Sequence, residues 1–338
     1  MDTRRIPLSF IPPLLPDQTL YSWVTVFHEM SGNASKEETL LQIIGSEKAG
    51  RQFHIPSHLD AFCASTQCTL GDPGQLINIA TILPSYLRFR SNNVAADVLQ
   101  RVRGNQTAGV AQTLRLARSR LYTFPPRRGC HQCAEDDLSN HGIAYWHRSH
   151  QLPGSLICIW HGTTLYSAPM ISHDKMLGGF ITPAQDLRRI DVDTTPCHYS
   201  EEENRILSRL AILATQMATQ SLAGGYSRPV MRHTCIAALQ ARNMLCDNVT
   251  ECLMRATQDY TNHFSKVAWI PDLACVLAQR STKPLWSLLS NTQHPDHPLE
   301  YLLLIDWLFG SWETFSHQYS MHLPWQNSGR LELSHYML

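Results

Sequence analysis

The sequence predicts a mainly α-helical protein: a helix-turn-helix-like helical N-terminal domain, a small zinc-ribbon-like module and a helical C-terminal domain. Two observations predict it. Apolar residues recur at a 3.6-residue period behind Ser and Asp caps, before and after the middle of the chain. Between those stretches lie two Cys/His pairs with metal-ligand spacing. At 338 residues the chain exceeds a usual single core, so two or three domains are expected. The boundaries read as 1–125 for the N-terminal helices, 126–170 for the module, 171–200 for an irregular connector and 201–338 for the C-terminal helices.

Asp17 can cap a helix through Leu20, Trp23, Val24, Phe27 and Met30 that Gly32 stops. Ser35 with Glu38, and Ser57 with Asp60, are spaced to start short helices. Asp72-Pro73 opens another, through Leu76, Ile77 and Ile79 towards Leu83. Beyond the connector, Ser200 with Glu203 caps a helix whose buried face is Ile206, Leu207, Leu210, Leu213, Ala214 and Met217, ended by Gly224-Gly225. Further helices are expected over 236–245, 249–264, 270–279 and 285–290. The last, over 299–315, is apolar on nearly all sides and carries Trp307, Phe309, Trp312 and Phe315, which marks a buried core helix.

Cys130-x2-Cys133 and Cys158-x2-His161 place four ligands at two tight turns, the arrangement that closes a tetrahedral shell around one Zn2+. Turn backbone N–H groups would face the sulfurs, and Gly129 and Gly162 would supply tight local backbone. Four protein ligands leave no open position for a water or substrate, which makes the ion structural. His131, His141, His147 and His150 are near enough in sequence to replace a ligand, with His150 read as a packed or hydrogen-bonding residue. His54, His58, Cys63 and Cys68 form a second ligand-rich run. Their spacing does not match structural zinc pairs, and the competing reading is a helix with buried cysteines.

Lysine plus arginine balance aspartate plus glutamate at 28 each, so the chain is not a uniformly basic DNA-coating protein. The charge is nonetheless lopsided. Between residues 86 and 128 stand Arg88, Arg90, Arg101, Arg103, Arg115, Arg118, Arg120, Arg127 and Arg128, with no lysine and one acid, Asp97. Such a run suits a nucleic-acid backbone or an acidic partner face, against the alternative of a solvated surface paired with acids such as Glu135, Asp136 and Asp137. The N-terminus lacks a signal-peptide pattern, and no apolar run is long enough to span a membrane. Ten cysteines, three of them in metal-like spacing, favour a reduced, cytoplasmic setting.

The run YWHRSHQLPGSLICIWHGTTL, residues 145–165, closely resembles the signature of the TniQ family of bacterial transposon target-selection proteins. So does the opening IPPLLPDQTLYSWVTVFHEMSG, residues 11–32. IPSHL at 55–59 and TILPSYLRFR at 81–90 are similar to intermediate landmarks of the family, and HPLEYLLLIDWLFGSWETF at 297–315 is similar to a segment of its TnsD branch. A second zinc knuckle described for many members is missing or reduced here, since only Cys197 follows in that region.

The resemblance implies a non-catalytic protein, in keeping with the absence of a P-loop and of a readable carboxylate metal triad. It implies an adaptor that docks on an RNA-guided CRISPR effector of the Cascade type, with its guide RNA, and recruits the AAA+ regulator TnsC. The alternative is a TnsD-like protein that binds one chromosomal attachment site directly. The neutral overall charge favours the adaptor, and the arginine run keeps direct DNA binding in play. Members acting with Cascade are known as head-to-tail homodimers, which implies a dimer here.

Overall fold

A computed structural model describes residues 8–47, 54–116, 126–167, 180–187, 198–219, 225–245, 248–277 and 297–323. The described residues are mainly helical. In chain order the helices are α1 (Leu20–Ser31), α2 (Lys36–Ile44), α3 (Leu59–Ser65), α4 (Pro73–Ala80), α5 (Leu83–Leu87), α6 (Asn92–Arg103), α7 (Val110–Thr113), α8 (His131–His141), α9 (Pro183–Leu187), α10 (Glu201–Thr219), α11 (Arg228–Ala241), α12 (Val249–His263), α13 (Pro271–Leu277), α14 (Pro298–Phe309) and α15 (Trp312–His322). Two short strands, β1 (Arg128–Gly129) and β2 (Tyr166–Ser167), pair antiparallel, with Gly129 opposite Tyr166. No helix among the described residues is long and apolar enough to cross a membrane.

One apolar cluster runs from Leu20 and Trp23 through Tyr86 and Leu210 to Leu303 and Phe315. Helix α10 is central to it, packing on α4 and α5 from the N-terminal side and on α14 and α15 from the C-terminal side. Its buried face is the one the periodicity marks, Ile206 to Met217. Ser200 and Glu203 cap it reciprocally: the Glu203 N–H donates to Ser200 Oγ, and the Ser200 N–H donates to Glu203 Oε2.

Several local assignments shift. The cap of α1 is Thr19, whose hydroxyl accepts from the Ser22 N–H. Asp17 stands in a left-handed conformation (φ 55°), and its carboxylate accepts instead from the Ser149 N–H at 3.0 Å. Distance in sequence hides that partner. Ser57 caps nothing, because α3 starts behind a left-handed His58 (φ 57°) and Asp60 faces Arg103. Asp72 does cap α4, in a reciprocal box with Gln75. That helix stops at Ala80, and Pro84 begins the separate α5. The expected helix at 236–245 begins earlier, at Arg228, with Pro229 in its first turn. The helix expected at 285–290 and Gly224 of the expected Gly224-Gly225 stop lie outside the described residues.

The apolar stretch 299–315 is two helices. Gly310 adopts a left-handed conformation (φ 71°) that ends α14, and Ser311 caps α15 by accepting from the Thr314 N–H. All of α14 is buried, including Asp306. That carboxylate receives Arg209 of α10 and, at 2.9 Å, His263 Nε2 of α12, so it pins three helices together. Asp306→Ala would leave two partly exposed cationic or polar groups unsatisfied. The expected loss is about 2–3 kcal/mol, below the range for a fully buried pair because solvent reaches Arg209 and His263, and urea unfolding would measure it.

Candidate metal centre

Cys130, Cys133, Cys158 and His161 lie on two tight turns. The first is the start of α8: Cys130 is its N-cap and Cys133 sits in its first turn, where the helix N-terminus favours a thiolate. The second is a hairpin in which the Cys158 N–H donates to the Thr163 carbonyl and the Gly162 N–H to the Cys158 carbonyl, both at 2.8 Å. Backbone N–H groups also point at the sulfurs, from Cys133 onto Cys130 and from Trp160 and His161 onto Cys158.

The two flanking glycines act differently. Gly162 turns through a left-handed conformation (φ 66°), whereas Gly129 is required by close approach. A Cβ there would overlap the Tyr166 ring at Oη and Cζ. Gly129→Ala must therefore displace Tyr166 and the β1–β2 ladder. The expected destabilisation is about 1–3 kcal/mol, seen as a lowered Tm, with partial recovery when Tyr166 is also replaced by Ala.

The four ligand atoms all lie within 4.8 Å of one another. His161 Nδ1 is 3.3 Å from Cys133 Sγ and 3.6 Å from the sulfurs of Cys130 and Cys158, and Cys133 and Cys158 Sγ are 3.5 Å apart. A tetrahedral shell with Zn–S near 2.3 Å and Zn–N near 2.0 Å has edges of roughly 3.8 Å and 3.6 Å, so the residues fit such an ion. Contacts with the Cys130 and Cys158 sulfurs, together with burial, push the Cys133 thiol far above its ordinary value. A cation among the sulfurs would remove that opposition to ionisation.

Among the described residues this is the one Cys, His and carboxylate group gathered tightly enough to hold an ion. His54, His58, Cys63 and Cys68 do not form a second; the Cys63 thiol instead donates to the Gly71 carbonyl. Nor do the spare histidines join. The His131 ring packs on Tyr166 and the His141 ring on Tyr145. His147 Nε2 meets the buried Asp137 at 3.0 Å. His150 is buried against His147 and Trp160, with Nε2 3.8 Å from Cys133 Sγ, and burial lowers its pKa to about 3. Two contacts escaped the spacing argument. Asp136 Oδ2 lies 3.0 Å from His161 Nε2, and Thr163 Oγ1 lies 3.3 Å from Cys130 Sγ. The signal for Asp136 is its place one turn after Cys133 on α8, which is legible only once His161 is known to sit opposite.

Tyr145 and Trp146 are bonded directly to α1 and to the residues that lead into it. The Thr19 N–H donates to the Trp146 carbonyl at 3.0 Å, the Trp146 N–H to Ser22 Oγ at 2.8 Å, and Tyr145 Oη to the Pro16 carbonyl at 3.1 Å. Burial raises the Asp17 carboxyl above its ordinary value, opposed by the Ser149 hydrogen bond and by His147 and Arg148.

The arginines do not share one surface. Arg88, Arg90 and Arg128 are buried. Arg88 donates twice to the Met217 carbonyl, Arg90 to the Leu114 carbonyl, and Arg128 to the Ser155 carbonyl and to Asp272. Arg90 also lines a cleft with Asn92, Tyr226, Arg228 and Tyr319. Arg101 pairs with Asp97 and Arg103 with Asp60, at 3.0 Å and 2.9 Å. Arg115 is exposed in a left-handed conformation (φ 56°), and the Arg127 guanidinium lies over the Trp146 ring, 5.6 Å from its centroid. Arg118 and Arg120 lie outside the described residues.

The four-ligand cluster on paired turns, locked to a capped N-terminal helix, falls within the region that a known family model covers. The model described as TniQ matches residues 9–165, which takes in α1 through the second turn. Transposon Tn7 transposition protein TnsD of Escherichia coli is 24% identical to this chain over 151 residues, 44% of the chain and 30% of TnsD. The aligned part is thus under a third of that relative's length.

Proposed function

We propose that this chain is a non-catalytic target-selection protein of a bacterial transposon, an adaptor between an RNA-guided CRISPR effector of the Cascade type and the AAA+ regulator TnsC. The observation that carries the transposon reading is the TniQ match over residues 9–165, with all four candidate metal ligands inside it. In this reading residues 1–125 and 201–338 form the helical bodies, and 126–170 is a module held by one structural Zn2+. Zinc would be held by Cys130, Cys133, Cys158 and His161, and its role there is to contribute folding free energy to a short segment with little core of its own. Four protein ligands would complete its shell, which supports a scaffold over a catalyst.

The adaptor is favoured over direct DNA reading by the arginines. Three of the nine spend their guanidiniums on buried carbonyls, which leaves fewer cations to neutralise phosphate in a protein acting alone. The TnsD likeness supports the second reading, direct binding of a chromosomal attachment site. Co-purification with a Cascade-type effector, run beside a mobility shift on attachment-site DNA, separates them. Effector association without sequence-selective shifting supports the adaptor, and the reverse supports the direct reader. Light scattering would check the homodimer.

The surface arginines give a further expected result. Replacing Arg101, Arg103 and Arg115 together by Ala should weaken association with nucleic acid or an acidic partner. For nucleic acid, the slope of log K against log salt should become shallower by about 1 for each phosphate no longer neutralised. An unchanged slope would assign these side chains to the solvated surface.

A further inference from the structure

Helix α8 carries a metal ligand and, one turn on, a carboxylate aimed at a second ligand. Cys133 faces the centre of the cluster, and Asp136, three residues later, lies 3.0 Å from His161 Nε2. His161 meanwhile directs Nδ1 at all three sulfurs. A neutral imidazole has one N–H and one lone pair, so the nitrogen that faces an ion must be the bare one. An acceptor on Nε2 selects the tautomer with the proton there and the lone pair on Nδ1. It also fixes the ring plane and raises the basicity of the ligating nitrogen.

The neighbouring acids do not share this role. Glu135 is exposed, and no hydrogen bond or ion pair ties it to the cluster. Asp137, also on α8, is buried and turned to His147 Nε2 and the Tyr145 N–H. Three consecutive acids, alike in sequence, therefore have three different fates.

We propose that Asp136 is a positioning residue for the metal centre, holding His161 in the Nε2–H tautomer with Nδ1 directed at the ion. The inference rests on the metal reading above. Asp136 is largely exposed, so its contribution to fold stability through the ion pair alone is small. Its effect should instead appear in metal affinity and in the ligand field.

The test uses the full chain and zinc itself, in competition with a chromogenic chelator, with cobalt(II) substitution as the spectroscopic readout. Asp136→Ala is expected to weaken zinc binding about 10- to 100-fold. Asp136→Asn keeps an oxygen acceptor without the charge and should fall between Ala and the parent. The cobalt(II) d–d bands should shift in Asp136→Ala. Glu135→Gln removes an adjacent charge without touching His161, and should leave both affinity and spectrum unchanged. Equal weakening by Glu135→Gln and Asp136→Asn would reduce the effect to general charge and overturn the assignment. So would an Asp136→Ala protein with parental affinity and spectrum. A parent protein that binds no zinc would instead overturn the metal reading on which the inference stands, so the two failures are distinguishable.

Discussion

Cys133→Ser is expected to abolish stoichiometric zinc binding and to cost the chain more stability than any single change outside the metal module. Its sulfur is one corner of the cluster, 3.5 Å from Cys158 Sγ and 3.3 Å from His161 Nδ1. A serine hydroxyl is shorter, harder and not ionised at neutral pH, so one corner of the shell is lost. Apparent binding energies for structural zinc in short peptides are about 10–16 kcal/mol, and part of that is folding energy. The local apolar alternative is meagre. Beyond the three sulfurs, only Leu165 joins the cluster's own apolar group. The ordering entropy of the two turns would therefore fall largely on a bound ion.

Two measurements check this. Elemental analysis should give about one zinc per parent chain and none for Cys133→Ser. Hydrogen exchange should show loss of protection in α8 and the 156–165 hairpin, extending to Thr19 and Trp146 through the bonds that join the module to α1. A metal-free Cys133→Ser protein with parental Tm and protection would show that the fold does not depend on the ion. Chelator treatment of the parent should reproduce the substitution, with recovery on adding zinc back.

How much of this was legible in the sequence depends on the range of each interaction. The gathering of Cys130, Cys133, Cys158 and His161 is readable because a two-residue gap is a local geometric constraint, and the cap of α10 because Ser200 and Glu203 are three residues apart. Asp17 departs from the expected cap for the opposite reason. Its side chain has the composition of a cap, but its partner is the N–H of Ser149. The helix break at Gly310 is hidden in the sequence because apolar residues continue on both sides, and only the left-handed backbone with the Ser311 cap reveals two helices. The arginine run shows the limit most clearly. Sequence displays the cations, while the acceptors of Arg88 lie on Met217, on the far side of the metal module in sequence. A buried arginine that satisfies a helix terminus and a surface arginine that meets phosphate look the same until the fold is known.

Arg148 makes that argument testable, and Arg148→Ala is the second large expected effect. It lies in the stretch that most closely resembles the family signature, yet it was not singled out by spacing or charge. Its guanidinium is buried and joins three parts of the chain: Nε donates to the Thr81 carbonyl after α4 at 2.6 Å, and Nη2 donates to the Ala218 carbonyl in the last turn of α10 at 2.8 Å. Arg88 serves the adjacent Met217 carbonyl. The last carbonyls of a helix have no partner within it and carry the negative end of its dipole, so two buried arginines cap α10 from outside. Burial lowers the pKa of both, opposed at Arg148 by Asp17, with the Arg88 value pushed down to about 10. Each charge-assisted hydrogen bond contributes about 1.5–3 kcal/mol, and alanine would leave two buried carbonyls without their donor and open a cavity. A loss of about 3–5 kcal/mol in urea unfolding is expected for Arg148→Ala. Arg148→Lys keeps the charge but cannot place two donors at the guanidinium's spacing, and should recover less than half of it. Arg101→Ala, which breaks the surface pair with Asp97 and one long, exposed hydrogen bond to the Ala108 carbonyl, should cost under about 1 kcal/mol. If Arg148→Ala and Arg101→Ala prove equally mild, α10 is not capped through Arg148, and the joint between the family signature and the C-terminal helices is carried by apolar packing and by the Arg88 and Arg128 bonds.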